Sequence, residues 1–236
     1  MAGVVVMSGV SVRYGSHVIL DNIDLVVQKG EFLSIVGKSG VGKTSLLRAI
    51  GGLVPFSGKI ACPPSKGIVF QNNSVFPWMT VAQNIAFGLE GYDSSAQGRI
   101  VDRHLKVAGL GSLSDSFPSE LSGGQVQRVA IARAFAPCPS FVLMDEPFAS
   151  LDMQTRDSMH RWLEGVWRDE KMTIILVTHY LDEAILLSDR IIVLRGGARI
   201  EEFYVNLPRP RGPAMVFEPG FLALKRRIVA CLEDSL

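Results

Sequence analysis

Residues 31–47 of the chain read EFLSIVGKSGVGKTSLL and give the strongest indication of the fold. The apolar run Glu31–Val36 is typical of a buried strand, whereas Ser45–Leu53 has helical spacing. Between the two, Gly37–Thr44 satisfies the pattern G-x-x-x-x-G-K-[ST]. Glycines allow successive backbone N–H groups to curl around an anion, and the following helix adds its positive dipole end. The stretch therefore predicts a strand, a phosphate-binding loop and a helix in direct succession.

The phosphate-binding loop predicts ATP and Mg²⁺ as ligands. In loops of this pattern the lysine, here Lys43, reaches the β- and γ-phosphates, and the hydroxyl of Thr44 coordinates Mg²⁺. A chance match in a glycine-rich turn is the alternative, and the strand before the loop and the helix after it argue against that interpretation. The predicted nucleotide contacts in this region are Gly37, Lys38, Ser39, Gly40, Val41, Gly42, Lys43, Thr44 and Ser45.

Two acidic residues follow a second apolar strand. The run Phe141–Met144 leads directly into Asp145 and Glu146. Ligands of a parallel sheet sit at the carboxyl ends of its strands, so both acids are expected to face the phosphate site. Asp145 is suited to hold Mg²⁺, directly or through water, and Glu146 to activate or orient the attacking water. The alternative, that the acids only cap the segment after Pro147, is weaker beside a phosphate-binding loop.

The spacing of apolar residues predicts the strands and helices in the rest of residues 4–205. Four β-branched runs near the N-terminus predict antiparallel strands with turns at Gly15-Ser16 and Lys29-Gly30: Val4–Val6, Val10–Tyr14, His17–Leu20 and Asp24–Val27. Residues 81–136 predict an inserted helical subdomain, clearest at Ala96–Ala108. The strands and helices after it alternate as in a parallel sheet covered by helices: Ser140–Met144, Met153–Arg168, Thr173–Val177, Leu181–Leu187 and Arg190–Leu194.

The last part of the chain has a different character. The proline-rich segment Leu207–Pro213 predicts a stiff, extended connector. A short amphipathic helix is expected after it, with Arg226 and Glu233 opposite an apolar face made of Phe221, Leu224, Ile228, Cys231 and Leu232. These patterns divide the chain into a catalytic domain over residues 4–205 and a connector with a C-terminal helix over residues 206–236.

Composition excludes several classes of protein. The 236 residues carry a formal net charge of +1 without a long basic tract, which gives no electrostatic reason to expect nucleic acid as a partner. Cys62, Cys138 and Cys231 are widely spaced, so neither a disulfide framework nor a zinc site is predicted. The mean hydropathy of +0.25 is high, but apolar runs such as Met172–Val177 are too short to cross a bilayer. The excess of apolar residues is expected to lie in buried strands or in a surface that contacts another protein.

A second glycine-rich turn identifies a family. Leu121–Gln125 reads LSGGQ and precedes the alanine-rich helical run Val126–Ala136. Ser122 can cap that helix, and the bare backbone of Gly123 and Gly124 offers further N–H groups to an anion. The pentapeptide resembles the signature of ABC-transporter ATPases, in which it binds the γ-phosphate of the ATP held by a partner subunit. The resemblance therefore implies that Ser122, Gly123, Gly124 and Gln125 contact the ATP of a second copy.

Further landmarks of that family follow in order and cover nearly the whole chain. Tyr14 resembles the aromatic residue that stacks on adenine, and Gln71 the glutamine that links Mg²⁺ and the attacking water to the transporter interface. Asp152, in Ser150-Leu151-Asp152, resembles the loop that signals between the two sites. His179 resembles the switch histidine on the γ-phosphate. Lys38, Ser45 and Val126 differ from the residues most often found at their positions, and none of these differences removes a predicted ligand.

The resemblance implies a fold and a mechanism. The expected fold is an α/β P-loop NTPase of ABC type, with a parallel-sheet core, an antiparallel β subdomain and an inserted helical subdomain. Two copies would pair head to tail around two ATP molecules, with Glu146, His179, Gln71 and Lys43 in catalysis and Thr44, Gln71 and Asp145 around Mg²⁺. Transmembrane permease subunits and, indirectly, an external solute-binding protein are the implied partners, and the cytoplasmic face of the membrane is the implied location.

Two shorter patterns resemble one branch of the family. FPWMTV at Phe76–Val81 and LPRPR at Leu207–Arg211 are similar to the importers of nitrate, sulfonates and taurine. Phe76 and Trp78 suit a groove for a helix of another protein, although packing of this loop on the helical subdomain is an alternative. Other possibilities are an importer of a pyrimidine vitamin precursor or a riboflavin-like compound, a soluble ABC ATPase without a membrane partner, a phosphotransferase, and an interaction protein with an inactive site.

Overall fold

The computed structural model describes residues 3–71, 75–196 and 199–233 and contains two β-sheets. One is three-stranded with the order β2-β1-β4, and the other is six-stranded with the order β5-β6-β7-β3-β8-β9. In the large sheet β5, β6, β7, β3 and β8 run parallel, and β9 pairs antiparallel with β8. The strands are β1 Val5–Tyr14, β2 His17–Val27, β3 Phe32–Val36, β4 Ser57–Ala61, β5 Lys66–Val69, β6 Phe141–Asp145, β7 Ile174–Val177, β8 Arg190–Arg195 and β9 Arg199–Tyr204.

The described part of the chain also contains seven α-helices. They are α1 Lys43–Gly51, α2 Val81–Ala86, α3 Ser94–Ala108, α4 Gly123–Phe135, α5 Met153–Glu170, α6 Leu181–Leu187 and α7 Pro219–Glu233. Helix α1 ends where the glycines predict, with Gly52 in the left-handed conformation as its C-cap. None of these helices, within residues 3–71, 75–196 and 199–233, combines the length and apolar character needed to span a membrane.

The parallel sheet is buried on both faces because its side chains alternate between two cores. On one face Leu33 and Ile35 of β3 pack with helix α1 and the antiparallel sheet. On the opposite face Phe32 of β3 packs with helices α4 and α5. Buried on both sides, the inner strands are continuously apolar, which is why the sequence shows runs rather than alternation. The expected fold class, a parallel-sheet core with antiparallel and helical additions, is confirmed.

The antiparallel sheet differs from the prediction in the number of its strands. The four short strands expected before residue 28 are two long ones, β1 and β2. Gly9 and Asn22 have positive φ angles of 58° and 53°, and the register of β1 with β2 shifts near both residues. A β-bulge breaks the period of two without ending the strand. The expected breaks at these positions are therefore wrong, whereas the turns at residues 15–16 and 29–30 are present.

Three strands carry little sequence signal and were not predicted. Among the described strands, β4 pairs with β1 alone, β9 is an edge strand on β8, and β5 is a four-residue edge strand on β6. Short edge strands need few β-branched residues because one side of each has no neighbour. Strand β5 nevertheless matters for the site, since it delivers Gln71 to the same end of the sheet as the predicted acids.

The inserted helices form a core of their own, and the bounds of the helical subdomain at residues 81 and 136 stay a prediction. Helices α2, α3 and α4 surround a cluster that includes Ile85, Val101, Leu105 and Val129. Its helices begin at side-chain caps, with Thr80 before α2, Asp93 before α3 and Ser122 before α4. Helix α4 also contributes Ile131 and Phe135 to the core under the parallel sheet. The subdomain is thus joined to the large sheet through the helix that follows LSGGQ.

The prediction that the proline-rich segment at 207–213 is extended is wrong, because the chain bends at residues 209–210 and a 3-10 helix begins at Pro213. The segment also packs against the domain. Arg209 donates to Glu164 of α5 at 2.9 Å and to Asp189 at 3.0 Å, and its guanidinium lies 4.3 Å from the ring centroid of Trp167. Beyond the segment, Phe221, Leu224, Ile228 and Cys231 of α7 are buried against α6, β8 and β9. Residues 234–236 lie outside the described part, and the division of the chain at residue 205 stays a prediction.

Arg211 fastens this segment to the end of helix α6. Its side chain is buried, and its five N–H donors all bond to backbone carbonyl oxygens, at distances of 2.6 to 3.3 Å. The acceptors belong to Ile185, Ser188, Val205 and Leu207. Burial lowers the pKa of the guanidinium to about 10, which leaves it charged at neutral pH.

Replacing Arg211 with alanine is expected to lower the free energy of unfolding by about 3 kcal/mol, because several buried carbonyl groups lose their partners at once. Lysine should not restore the loss, since one ammonium group cannot reach four carbonyl oxygens. Urea unfolding followed by circular dichroism measures the effect, and Arg226→Ala, an exposed arginine of α7, is the control. Surface substitutions usually change the free energy of unfolding by no more than about 0.5 kcal/mol. A change of that size in Arg211→Ala would contradict this role.

Candidate nucleotide site

The predicted site residues meet at one edge of the parallel sheet because of its strand order. Ile35 of β3 and Asp145 of β6 both lie beside Val177 of β7. The segments that leave these three strands therefore start at the same level: the phosphate-binding loop after β3, Glu146 after β6 and His179 after β7. Strand β5, paired with β6, brings Gln71 to the same edge. Residues separated by more than 100 positions along the chain thus converge on one site.

The glycines of the loop Gly37–Thr44 are required by close contacts and backbone angles. A β-carbon at Gly37 would lie 2.6 Å from the carbonyl oxygen of Leu194, the end of β8. Gly42 has a φ of 109°, and a β-carbon there would lie 2.9 Å from side-chain atoms of Ile19 and Leu20. A larger residue at either position would displace the loop from the sheets beneath it. Lys38, Ser39 and Gly40 lie at the exposed surface of the loop.

Lys43, in the first turn of α1, points back over the loop. Its ammonium group donates to the carbonyl oxygens of Gly37 at 2.9 Å and Lys38 at 3.1 Å. The residue is 7% exposed, and burial lowers its pKa, while Glu146 and Asp145 act in the opposite direction. Among the residues that the structure describes, no carboxylate is in hydrogen-bonding contact with this positive charge inside the loop, so an anionic ligand would compensate it.

Thr44 and Asp145 form the predicted metal-binding pair. The Thr44 hydroxyl donates to Oδ1 of Asp145 at 3.1 Å, which joins the start of α1 to the end of β6. Asp145 is buried, and this burial raises its pKa, whereas the Thr44 hydrogen bond and the charges of Arg48 and Lys43 lower it. A hydroxyl and a carboxylate side by side are hard oxygen ligands of the kind that Mg²⁺ prefers. The residues present therefore fit a magnesium ion held together with phosphate oxygens.

Glu146 is the centre of a polar cluster at this edge. Its Oε2 lies 3.1 Å from Nδ1 of His179 and 3.4 Å from Nε2 of Gln71. Its backbone N–H donates to the carbonyl oxygen of Val177 at 2.9 Å, and its φ of 44° places it in the left-handed region. A non-glycine residue in that region costs energy and is found preferentially at functional sites. Three of the four predicted catalytic residues are therefore in direct contact.

Tyr14, Ser45 and Asp152 are predicted nucleotide contacts that do not belong to this cluster. Tyr14 is 43% exposed at the end of β1, with its ring open to solvent. Ser45 is half-buried in the first turn of α1. Asp152 is exposed and caps helix α5, accepting from the Thr155 N–H at 3.0 Å, and hydrogen bonds from Thr155 lower its pKa. The structure thus gives Asp152 a definite local role at the start of α5.

Ser122–Gln125 forms the capped start of helix α4, apart from the phosphate-binding loop. The Ser122 hydroxyl accepts from the Gln125 N–H at 3.4 Å, and the Gln125 side chain accepts from the Ser122 N–H at 2.8 Å. A β-carbon at Gly124 would lie 2.6 Å from Cγ2 of Thr155, so this glycine is required by the packing of α4 on α5. The turn faces a hollow of about 360 Å³ whose lining includes none of the loop residues Gly37–Thr44.

Several polar residues next to His179 were not predicted from the sequence. Thr178 and Glu183 are buried and joined by a hydrogen bond, and Glu183 also contacts His160 of α5 at 3.1 Å. Arg156 of α5 covers the ring of Tyr180. The one available signal was the spacing of four between Arg156 and His160, which places both on one face of the predicted helix. Nothing in the sequence indicates that this face meets the His179 segment.

Comparison with known proteins gives a consistent result. The family model described as "ABC transporter" matches residues 20–149. The chain is 41% identical, over 95% of its length and 89% of the relative's, to the aliphatic sulfonates import ATP-binding protein SsuB 3 of Nocardia farcinica. It is also 41% identical, over 94% of its length but 36% of the relative's, to the bicarbonate transport ATP-binding protein CmpC of Synechocystis.

A solved structure agrees with both matches. The chain superposes with a TM-score of 0.74 and 28% identity on the ATP-binding cassette MJ0796, a dimer in a post-hydrolysis state bound to ADP and Pi. The match covers 86% of this chain and 100% of that one. The resemblance seen in LSGGQ and the phosphate-binding loop is thereby confirmed. The chain belongs to the ABC transporter family, as one of its ATP-hydrolysing subunits.

Proposed function

We propose that this chain powers the import of a small solute, an anion such as a sulfonate, nitrate or taurine, as the ATP-hydrolysing subunit of a membrane complex. The observation that carries the proposal is the contact of Glu146 with His179 and Gln71 beside Lys43, Thr44 and Asp145. The sulfonate and bicarbonate relatives support an anionic cargo, since both of their named cargoes are small anions and both proteins are 41% identical to this chain.

In the proposed mechanism the residues at the sheet edge act on the phosphates, on the attacking water and on Mg²⁺. Lys43 and the loop amides compensate the phosphate charge, which is the main catalytic requirement of phosphoryl transfer. Glu146 accepts a proton from the attacking water or orients it, and His179 and Gln71 hold the Glu146 carboxylate in place. Thr44 and Asp145, with Gln71, would hold Mg²⁺, which supplies charge compensation on the phosphates when bound.

The complete site is proposed to need a second copy of the chain. Ser122–Gln125 opens α4 in a hollow of its own, away from Gly37–Thr44. The N-terminus of a helix with bare glycine amides is suited to an anion. In a head-to-tail dimer the turn of one chain would face the ATP on the loop of its partner, so that each ATP lies between two subunits. The dimeric state of the cassette MJ0796 supports this arrangement.

The membrane partner is proposed to bind a groove on the helical subdomain. Trp78, Met79 and Phe87 line a hollow of about 500 Å³ together with α2 and α3 side chains. Buried Asn84 fixes the loop, because it accepts from the Phe76 N–H at 2.8 Å and donates to the carbonyl oxygens of Phe76, Met79 and Thr80 at 3.0 to 3.1 Å. A preformed groove of this kind suits a helix from another protein.

The sequence allowed two interpretations of this loop, a groove for a partner helix and packing on the helical subdomain. One aromatic residue of the loop fits each of them. Phe76 is half-buried and packs 4.5 Å, between ring centroids, from Phe87. Trp78 is 69% exposed, so a large apolar side chain remains for a partner to cover. Residues 72–74 of the same stretch lie outside the described part. A permease in this groove would hold the chain at the cytoplasmic face of the membrane.

Trp78→Ala is expected to weaken binding to the permease at least 10-fold, because an exposed aromatic anchor of this kind is a typical interface hot spot. ATP binding should stay within about twofold, because the hollow lined by Trp78 includes none of the predicted nucleotide-site residues. Co-purification from detergent-solubilised membranes measures the first quantity and nucleotide titration the second. Tyr204→Ala, an exposed aromatic on β9, is the control. Equal recovery of permease by both variants would contradict the groove.

The cargo is tested through the rest of the complex. The membrane complex would be isolated by a tag on this chain, and its external solute-binding protein titrated with alkanesulfonates, taurine, nitrate, bicarbonate and pyrimidine precursors. Affinity for one of the anions, with ATP hydrolysis stimulated by the loaded binding protein, is the expected result. Affinity for a pyrimidine precursor would overturn the anionic cargo, and the absence of any membrane partner would overturn import.

A further inference from the structure

Helix α5 presents two polar side chains to the segment that carries His179. Arg156 and His160 are four residues apart and therefore lie on one face of the helix. Arg156 meets Tyr180, and His160 meets Glu183 at 3.1 Å. Tyr180 directly follows His179 and precedes α6, and Glu183 lies in the first turn of α6. The two side chains of α5 therefore contact the start of α6 from both of these positions.

Arg156 bridges two loops. Its Nη2 donates to the carbonyl oxygen of Leu151 at 2.8 Å, the residue before the α5 cap Asp152. Its guanidinium carbon lies 4.1 Å from the centroid of the Tyr180 ring, and Nη2 is 3.5 Å from the Tyr180 hydroxyl. A half-buried guanidinium over an aromatic face is an attractive cation–π contact. One side chain therefore joins the segment 150–152 to the segment 178–180.

The backbone beneath His179 is fixed by a separate network. One carboxylate oxygen of Glu183 accepts from the Thr178 hydroxyl, and the other faces Nε2 of His160. Thr178 Oγ1 in turn accepts from the backbone N–H of Tyr180 at 3.0 Å. Thr178, Glu183 and His160 are all buried. This network sets the path of the main chain and leaves the side chain of His179 to be oriented by other contacts.

The ring of His179 is placed between two neighbours. Its centroid lies 3.9 Å from the Tyr180 ring centroid, and its Nδ1 lies 3.1 Å from Oε2 of Glu146. The His179 side chain is 44% exposed, so packing on other sides does little to restrict it. The position of the Tyr180 ring therefore decides how well His179 reaches Glu146, and Arg156 covers that ring.

We propose that Arg156 is a positioning residue for ATP hydrolysis. Through Tyr180 it keeps the His179 ring on Glu146, and through Leu151 it ties that geometry to the loop that ends at Asp152. A shift of that loop is transmitted to the hydrolytic cluster by way of this one guanidinium. The inference rests on the proposed role of His179.

The test compares steady-state ATP hydrolysis by full-length variants. Arg156→Ala and Tyr180→Ala should each lower kcat about 10-fold, the order expected for losing one desolvated cation–π contact, with KM for ATP within about twofold. Tyr180→Phe keeps the ring and should recover most of the loss. Arg161→Ala, an exposed arginine of the same helix, is the matched control, and thermal unfolding identifies any variant that has merely lost its fold.

The same Arg156→Ala substitution in a His179→Ala background tests the positioning role of Arg156 separately from the proposed role of His179. There, Arg156→Ala should cause no further loss, because the residue through which it acts is gone. If His179→Ala lowers kcat but Arg156→Ala alone does not, or if Arg156→Ala is equally harmful in both backgrounds, the positioning role is wrong and the proposed site stands. If His179→Ala itself leaves kcat unchanged, the proposed role of His179 fails and the inference fails with it.

Discussion

Replacing Glu146 with glutamine is expected to lower ATP turnover at least 100-fold while ATP binding is retained. The carboxylate at this position is the only acid that the structure places within 3.5 Å of both His179 and Gln71, as far as residues 3–71, 75–196 and 199–233 show. Glutamine keeps the shape and can still hydrogen-bond to both neighbours, but it cannot accept a proton from water. The left-handed backbone of residue 146 is also retained, so the loop should keep its conformation.

Two measurements check this expectation. Phosphate release at saturating ATP gives turnover, and titration with a fluorescent ATP analogue gives affinity. Because hydrolysis is blocked, ATP-bound dimers should accumulate, which size-exclusion chromatography in the presence of ATP detects. Glu218→Gln, an exposed glutamate before α7, is the matched control. Turnover near that of the native chain would remove Glu146 from the reaction.

Lys43→Ala is expected to weaken ATP binding about 100-fold, the scale of losing a charge-assisted hydrogen bond at a buried site. The structure without a ligand shows the reason: the residue is 7% exposed, and among its described contacts its ammonium group bonds only to the carbonyl oxygens of Gly37 and Lys38. An anion entering the loop supplies the opposite charge that these carbonyl groups provide only in part.

The same substitution should leave the ATP-free protein at least as stable. Burial lowers the pKa of Lys43, which means that the folded protein without ligand disfavours its charge. Thermal unfolding with and without Mg·ATP therefore separates the effects: the native chain gains stability from the ligand, and the variant does not. Lys59→Ala, an exposed lysine on β4, is the control. A variant that is strongly destabilised without ATP would show that Lys43 is mainly structural.

The features that sequence predicted well are those contained in consecutive residues. The phosphate-binding loop needs a strand, glycines at fixed positions and a helix start, all within Glu31–Leu53, and the structure has them there. The Ser122 cap of α4 likewise depends on a side chain and the N–H group three residues later. The apolar face of α7 follows from one period of 3.6 residues. Local hydrogen bonding and periodicity suffice for such features.

Features that depend on distant partners were predicted poorly. Strand β5 exists because β6 pairs with it, and its four residues carry no pattern of their own. The bulges at Gly9 and Asn22 interrupt the period of two, so the sequence alone indicated breaks in strands that are continuous. The arginines of LPRPR fit an exposed connector equally well until Glu164, Asp189 and the end of α6 are placed beside them.

The sequence alone predicts a phosphate-binding loop at Gly37–Thr44 and a second anion-binding turn at Ser122–Gln125, because a few adjacent residues contain all the chemistry of each. Which distant side chains come into contact depends on how the strands and helices pack. The order β5-β6-β7-β3 brings Gln71, Glu146, His179 and Lys43 to one sheet edge, and the packing of α5 on α6 sets Arg156 over Tyr180. Strand order and helix contacts arise from burying apolar surface across the whole domain, and no short stretch of sequence contains that information.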